Sequence, residues 1–400
     1  MERVTFKNKG NTVVGNLFRP EDFEQGAMCP AIVVTHPFGA VKEQVPTTYA
    51  KLLAGQGFIT LVFDASYQGE SGGEPHFSEF PSARVEDIRC AVDFLSNHPD
   101  VDMERIGALG ICAGGGYTVN VAQTEMRIKA VAGVSTFNVG SARRDGVGGT
   151  QSAEYRTSLL ERSGKARTRE AAGGEVEMFS LINDNPAFDM NDPSTIPVMY
   201  QEGYKYYSEI DPNPRFMGMF ALSSLSQQMA FFPFEGIELI SPRPLLLIAG
   251  SEADTLYMSQ DAIEKAKEPN GLHIIDGGSH IDLYWKPEYV SQVAGKLAEF
   301  FTKNLLSVVG GGPVTSPPPR WRPHAHRQRL RRDVGGRTAV TSVRATCSSG
   351  SGTAAPATPT STTRAANGES NRSFAALACL AGDGRRSSMP AYGSHRCPRM

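Results

Sequence analysis

The chain has 400 residues, 40% of them hydrophobic, and 40 Lys plus Arg against 42 Asp plus Glu give a net charge of −2. That length and apolar content suit one large α/β domain or two smaller ones. The charge is unevenly spread: residues 307–400 hold fourteen Arg and three acidic residues, about +11, leaving about −13 on the first 306, an acidic body that argues against a nucleic-acid partner.

The N-terminus, MERVTFKNKG, has no apolar leader segment, and no stretch approaches the roughly 18 apolar residues of a membrane span. A cytoplasmic protein without a membrane span is the expectation, with the oligomeric state left open. Residues 4–6 and 12–17 alternate around Asn8-Lys9-Gly10-Asn11, which predicts an opening hairpin. CPAIVVTH (29–36) is a continuous apolar run, as in a strand buried on both faces of a mostly parallel sheet. A helix over 46–56 and a second buried strand, FITLVFD (58–64), follow. A Gly- and Ser-dense loop spans 65–75, and residues 82–98 carry Val85, Ile88, Ala91, Val92 and Leu95 on one helical face.

Next comes RIGALGICAGGGY (105–117), an apolar strand, a glycine-rich turn and a helix-compatible stretch over 115–123. The turn is G-x-C-x-G centred on Cys112. Glycines two before and two after remove the Cβ atoms that would clash with a strained central residue. The side chain of Cys112 then stands at the strand's carboxyl end, and the Ala113 N–H opens the next helix where an oxyanion would form. A buried cysteine in a glycine turn is the plain alternative. IKAVAGV (128–134) is another buried strand, so strand and helix alternate as in a doubly wound α/β sheet.

From 137 to 240 strands give way to helix formers, Met and aromatics such as Tyr206, Tyr207 and Phe216, which predicts a helical lid inserted over the strand ends. Its aromatics imply a largely apolar small-molecule substrate. The sheet resumes with PLLLIA (244–249), a helix over 259–266, a short strand LHII (272–275) and a closing helix over 287–306. The expected organisation is a core of 1–136 and 241–306 around a lid of 137–240. Residues 307–400, rich in Ser, Thr, Ala, Pro and Arg and devoid of Lys, read as a disordered basic tail. Its composition resembles GC-rich DNA translated in a shifted frame; a basic arm for anionic surfaces is the functional alternative.

A cysteine nucleophile needs a base, and the base needs a group that fixes its tautomer. His98 in a turn and His273 in a strand read as structural. His280, on the loop after the last strand, is the best base, and Asp254, on the loop after the strand before it, the best orienting acid. Glu252 is the nearest rival and Asp261 a weaker one; Asp282 reads as a helix-entry residue. His36-Pro37-Phe38-Gly39 is placed to give the second oxyanion donor from a backbone N–H near Phe38 or Gly39, with the His36 side chain bonding neighbouring backbone. Asp64 and the turn 68–73 shape the adjacent loop. No metal or organic cofactor is expected: the six Cys form no C-x-x-C pair, and Gly114-Gly115-Gly116 follows a nucleophile rather than opening a dinucleotide fingerprint.

The combination of THPFG, FDASYQGESGG, GICAGGGY, AGSEADT and GGSHIDLY resembles the α/β-hydrolase superfamily, nearest its dienelactone-hydrolase-like branch, and is similar to the fungal polyketide transferases and thiohydrolases. The resemblance covers about 1–306. It implies an α/β-hydrolase fold with Cys112 as nucleophile, Asp254 as acid, His280 as base, and the Ala113 and Phe38 amides as oxyanion hole. The expected activity is hydrolysis of esters, lactones or thioesters through acyl-Cys112. An acyltransferase or chain-releasing thiohydrolase of secondary metabolism is the alternative, and a non-catalytic binding protein on the same fold a second.

Overall fold

The computed structural model describes residues 1–306, apart from Met190 and Met217. The tail of 307–400 lies outside the described residues. The chain opens with the antiparallel hairpin β1 (Glu2–Asn8) and β2 (Asn11–Phe18), which turns at Lys9-Gly10. Then come β3 (Cys29–Thr35), α1 (Val45–Ala54), β4 (Ile59–Asp64), α2 (Pro81–Ser96), β5 (Val101–Ile111), α3 (Ala113–Ala122) and β6 (Ile128–Val134). Between β6 and the next core strand lie α4 (Val139–Asp145), α5 (Ala153–Ala171), β7 (Met178–Phe179), α6 (Val198–Lys205), β8 (Phe220–Ala221) and α7 (Leu225–Met229). The core closes with β9 (Leu245–Gly250), α8 (Leu256–Lys265), β10 (Asn270–Ile275), the short α9 (Asp282–Trp285) and α10 (Pro287–Phe301).

Eight of these strands form one sheet in the order β1-β2-β4-β3-β5-β6-β9-β10. The pairs β1–β2 and β2–β4 are antiparallel and every later neighbour is parallel, the mostly parallel sheet that the apolar runs predict. β4 and β9 are buried along their whole length, as a strand covered on both faces must be. Helix α1 packs on α10 and α2 on α3, so helices cover the sheet. Where β3 meets β5 the order reverses, because β4 lies on one side of β3 and β5 on the other. Open α/β sheets gather ligands at the carboxyl edge of that position.

The segment between β6 and β9 is helical as expected, but it also holds the two-stranded pair β7–β8, too short to leave an alternating signal in sequence. It has its own apolar cluster, with Leu159, Phe179, Phe220, Leu222, Leu225 and Met229 buried together. The Phe38 ring packs against both this cluster and the main core. Among the described residues, no helix is long and apolar enough to cross a membrane.

Candidate active site

The turn after β5 holds Cys112 at φ 54, ψ −122, a region that a side chain other than glycine's rarely adopts. The neighbouring chain leaves no slack. A Cβ on Gly110 would lie 2.2 Å from the Gly114 carbonyl oxygen, and one on Gly114 would lie 2.5 Å from that of Thr35. Backbone bonds from Cys112 N–H to the Val134 carbonyl (2.9 Å), and from the Gly115 and Phe137 amides to the Cys112 carbonyl (2.8 and 2.9 Å), complete the clamp. Positive φ at a residue other than glycine costs about 1–3 kcal/mol and persists only where the surrounding structure enforces it.

Sγ belongs to a residue only 7% exposed, beneath the insertion. Burial pushes the thiol pKa up; the Tyr284 hydroxyl, which can donate to the thiolate once it forms, and the Ala113 and Phe38 amides, aimed toward Sγ, pull it back, with a smaller pull from the Arg143 guanidinium. The two amides expected to form an oxyanion hole therefore converge on one sulfur. Phe38 is positioned by buried polar contacts. His36 donates from Nδ1 to the Pro37 carbonyl (2.7 Å) and accepts at Nε2 from the Ala65 amide (3.0 Å), so its ring bonds backbone as expected. Arg84 donates to the His36 carbonyl (2.6 Å) and pairs with Glu79 (3.2 Å), which also accepts from the Tyr117 hydroxyl (2.8 Å). Arg143, itself buried, lies over the Phe38 ring with its guanidinium carbon 4.6 Å from the centroid, and donates to Gln228 (3.0 Å).

His280 is 1% exposed, and burial lowers its imidazole pKa from 6.5 to about 3. Its Nδ1 lies 2.6 Å from Thr255 Oγ1 and its Nε2 3.2 Å from the Tyr284 hydroxyl. This departs from the expected pairing of His280 with Asp254. The Asp254 carboxylate turns to the start of α6, accepting from the Met199 amide (3.0 Å) and from Val198. Its other oxygen, Oδ1, is buried without a hydrogen-bond partner. The physical reason is competition: free amides at a helix N-terminus attract a carboxylate. Thr255, one residue on, takes the imidazole instead. Glu252 is exposed and accepts from the Ser251 hydroxyl (3.3 Å), and Asp261 is likewise exposed, so neither replaces Asp254. Asp282 opens α9, as its helix-entry reading has it, and pairs with Lys286.

Sequence reasoning missed four groups at this site: Thr255, Tyr284, Arg84 and Arg143. Thr255 and Tyr284 lie inside the quoted AGSEADT and GGSHIDLY motifs. Tyr284 sits four residues after His280, a helical spacing that brings the two side chains to one face. Arg84 and Arg143 carry no local signal, since the contacts that bring them to the site, Arg84 to His36 and Arg143 to Gln228, join residues more than 40 apart. Among the described residues one carboxylate cluster, Glu43, Asp64 and Glu70, has metal-like spacing. The Lys42 ammonium already occupies it, 2.7 to 2.8 Å from all three.

A parallel sheet with a nucleophile-type turn at its reversal point, and a histidine loop after its last strand, makes this an enzyme with the α/β-hydrolase fold. The chain belongs to the dienelactone hydrolase family, whose model matches residues 15–138. It is similar to the Escherichia coli K12 protein YcjY, 37% identical over 307 residues that span 76% of this chain and 99% of that protein. The solved structure of PA2218 from Pseudomonas aeruginosa superposes with a TM-score of 0.69 at 34% identity, covering 76% of this chain and 93% of that one. Thiohydrolase aneE of Aspergillus aculeatus is 27% identical over 273 residues, 67% of this chain and 84% of its own.

Proposed function

We propose that this enzyme is an acyl-group hydrolase acting on esters, lactones or thioesters through an acyl-Cys112 intermediate. The observation that carries the reading is Cys112 at positive φ with the Ala113 and Phe38 amides aimed at its sulfur. In the reaction His280 accepts the thiol proton and the sulfur adds to the acyl carbon. The two amides then donate to the carbonyl oxygen as it gains charge, each worth on the order of 3 kcal/mol. Collapse breaks the bond to the leaving group, which takes the proton from His280. Water, deprotonated by the same imidazole, then cleaves the acyl–sulfur bond. Thr255 holds the Nδ1 side in this conformation. Asp254 is the candidate orienting acid for a conformation in which α6 releases its carboxylate. Thioesters and activated esters suit a thiolate, whereas an amide demands protonation of a poor leaving group in step with collapse.

Acyl transfer is the second reading, favoured by one observation in the insertion. The Tyr207 ring stacks on Phe216 with centroids 4.1 Å apart, and its buried hydroxyl, coupled electrostatically to Cys112, has no hydrogen-bond partner. Such a group could hold an alcohol acceptor under the insertion. The test is product analysis with a panel of acyl thioesters, aryl esters, a lactone and an anilide, with and without added alcohols. Turnover of thioesters and aryl esters but not the anilide is expected, and ester products in alcohol would identify transfer. Absence of turnover across the panel contradicts the proposal.

A further inference from the structure

Cys112 and His280 share no direct hydrogen bond, and the hydroxyl of Tyr284 stands between them. It lies 3.2 Å from His280 Nε2, and on its other side it is near enough to the thiol that each group shifts the other's proton affinity. The tyrosine is 1% exposed and fixed from two directions. The Tyr49 hydroxyl, on α1, donates to the carbonyl of Leu283, the residue before it. The Tyr206 ring meets its ring edge-on, centroids 5.4 Å apart at 88°. In the tautomer with the proton on Nδ1, donated to Thr255 Oγ1 2.6 Å away, His280 keeps a lone pair on Nε2 directed at Tyr284.

We propose that Tyr284 is a catalytic residue that relays the thiol proton of Cys112 to Nε2 of His280, an inference that rests on the acyl-cysteine reading above. Two protons move together. The Tyr284 O–H bond breaks as its proton joins Nε2, while the S–H bond breaks as the thiol proton joins the Tyr284 oxygen. The products are a thiolate, an imidazolium and a neutral tyrosine whose hydroxyl now donates to the thiolate. No other reactant is needed. A free phenolate is not an intermediate, because burial and the adjacent thiol raise the Tyr284 pKa well above 10. The ionisable groups facing this chain are Tyr206 and Tyr207, with Asp211 acting on both, and Arg143 from α4, whose charge favours the thiolate.

The test uses the full chain and its Tyr284→Phe variant, which keeps the ring and its packing. Thiolate formation is followed by ultraviolet absorbance against pH, as the difference between each protein and its Cys112→Ala counterpart. Acylation by p-nitrophenyl acetate is followed in mixtures of light and heavy water. For the wild type the relay predicts a bowed dependence on deuterium fraction, from two protons in flight. For Tyr284→Phe it predicts acylation slower by about 100-fold with little change in KM, a linear deuterium dependence, and a thiolate midpoint about one pH unit higher. A variant that acylates at the wild-type rate with an unmoved midpoint overturns the proposal, as does a linear dependence in the wild type. If no acyl group forms on Cys112, the acyl-cysteine reading fails by itself, and the thiolate midpoint still decides the role of Tyr284.

Discussion

His280→Ala is expected to slow acyl-enzyme formation by about 10⁴-fold or more, because the thiol loses the group that takes its proton. The same residue makes a distinct pH signature. An imidazole whose pKa is lowered to about 3 stays neutral, and able to accept a proton, throughout the mildly acidic range. The wild-type rate is therefore expected to be level from about pH 5 to about pH 8, with no inflection near the ordinary histidine value. Stability carries the opposite mark. Below about pH 6.5 the unfolded chain binds a proton at this histidine that the native state does not bind until about pH 3, so stability falls as pH drops through that window. His36, also lowered by burial, acts in the same sense. Between pH 7 and pH 5, His280→Ala should remove about 2 kcal/mol of the wild-type loss in unfolding free energy, measured in urea. Equal losses in the two proteins would contradict the buried, neutral imidazole.

Gly110→Ala is expected to be strongly destabilising. Its Cβ would meet backbone, the Gly114 carbonyl oxygen at 2.2 Å, and the elbow has no flexible side chain there to move aside. A loss of at least about 3 kcal/mol follows, at or beyond the upper end for overpacking. Gly295→Ala provides the contrast. That glycine lies on the exposed side of α10 with nothing within 4 Å of the added carbon, and alanine there should stabilise by about 0.5–1 kcal/mol. Denaturant midpoints of the two variants on opposite sides of the wild type are the expected result. Similar midpoints would contradict the tight elbow that holds Cys112.

Much of this architecture is legible in the residues. IKAVAGV gives β6 from end to end, and CPAIVVTH, FITLVFD and PLLLIA give β3, β4 and β9 to within a residue or so, because a strand covered on both faces must be apolar throughout. GICAGGGY gives the strained turn because only glycine fits where backbone approaches so closely. What sequence could not supply is the choice of partner at each polar atom. Asp254 and Thr255 are adjacent, and which of them meets His280 depends on the start of α6, some 55 residues away in the chain. The reach of Arg84 to His36 and of Arg143 to Phe38 is likewise set by packing between distant elements. Tyr284 was within the quoted motif, but its bridging position follows from α9 turning just after His280.

The central claim is that Cys112 carries the acyl group. Intact mass measurement of the protein after brief mixing with an acyl thioester, followed by peptide mapping, tests it most directly. A transient gain equal to one acyl group, located on Cys112 and absent from Cys112→Ala, is the result predicted. Turnover that persists in Cys112→Ala, or an acyl group found on another residue, would contradict it.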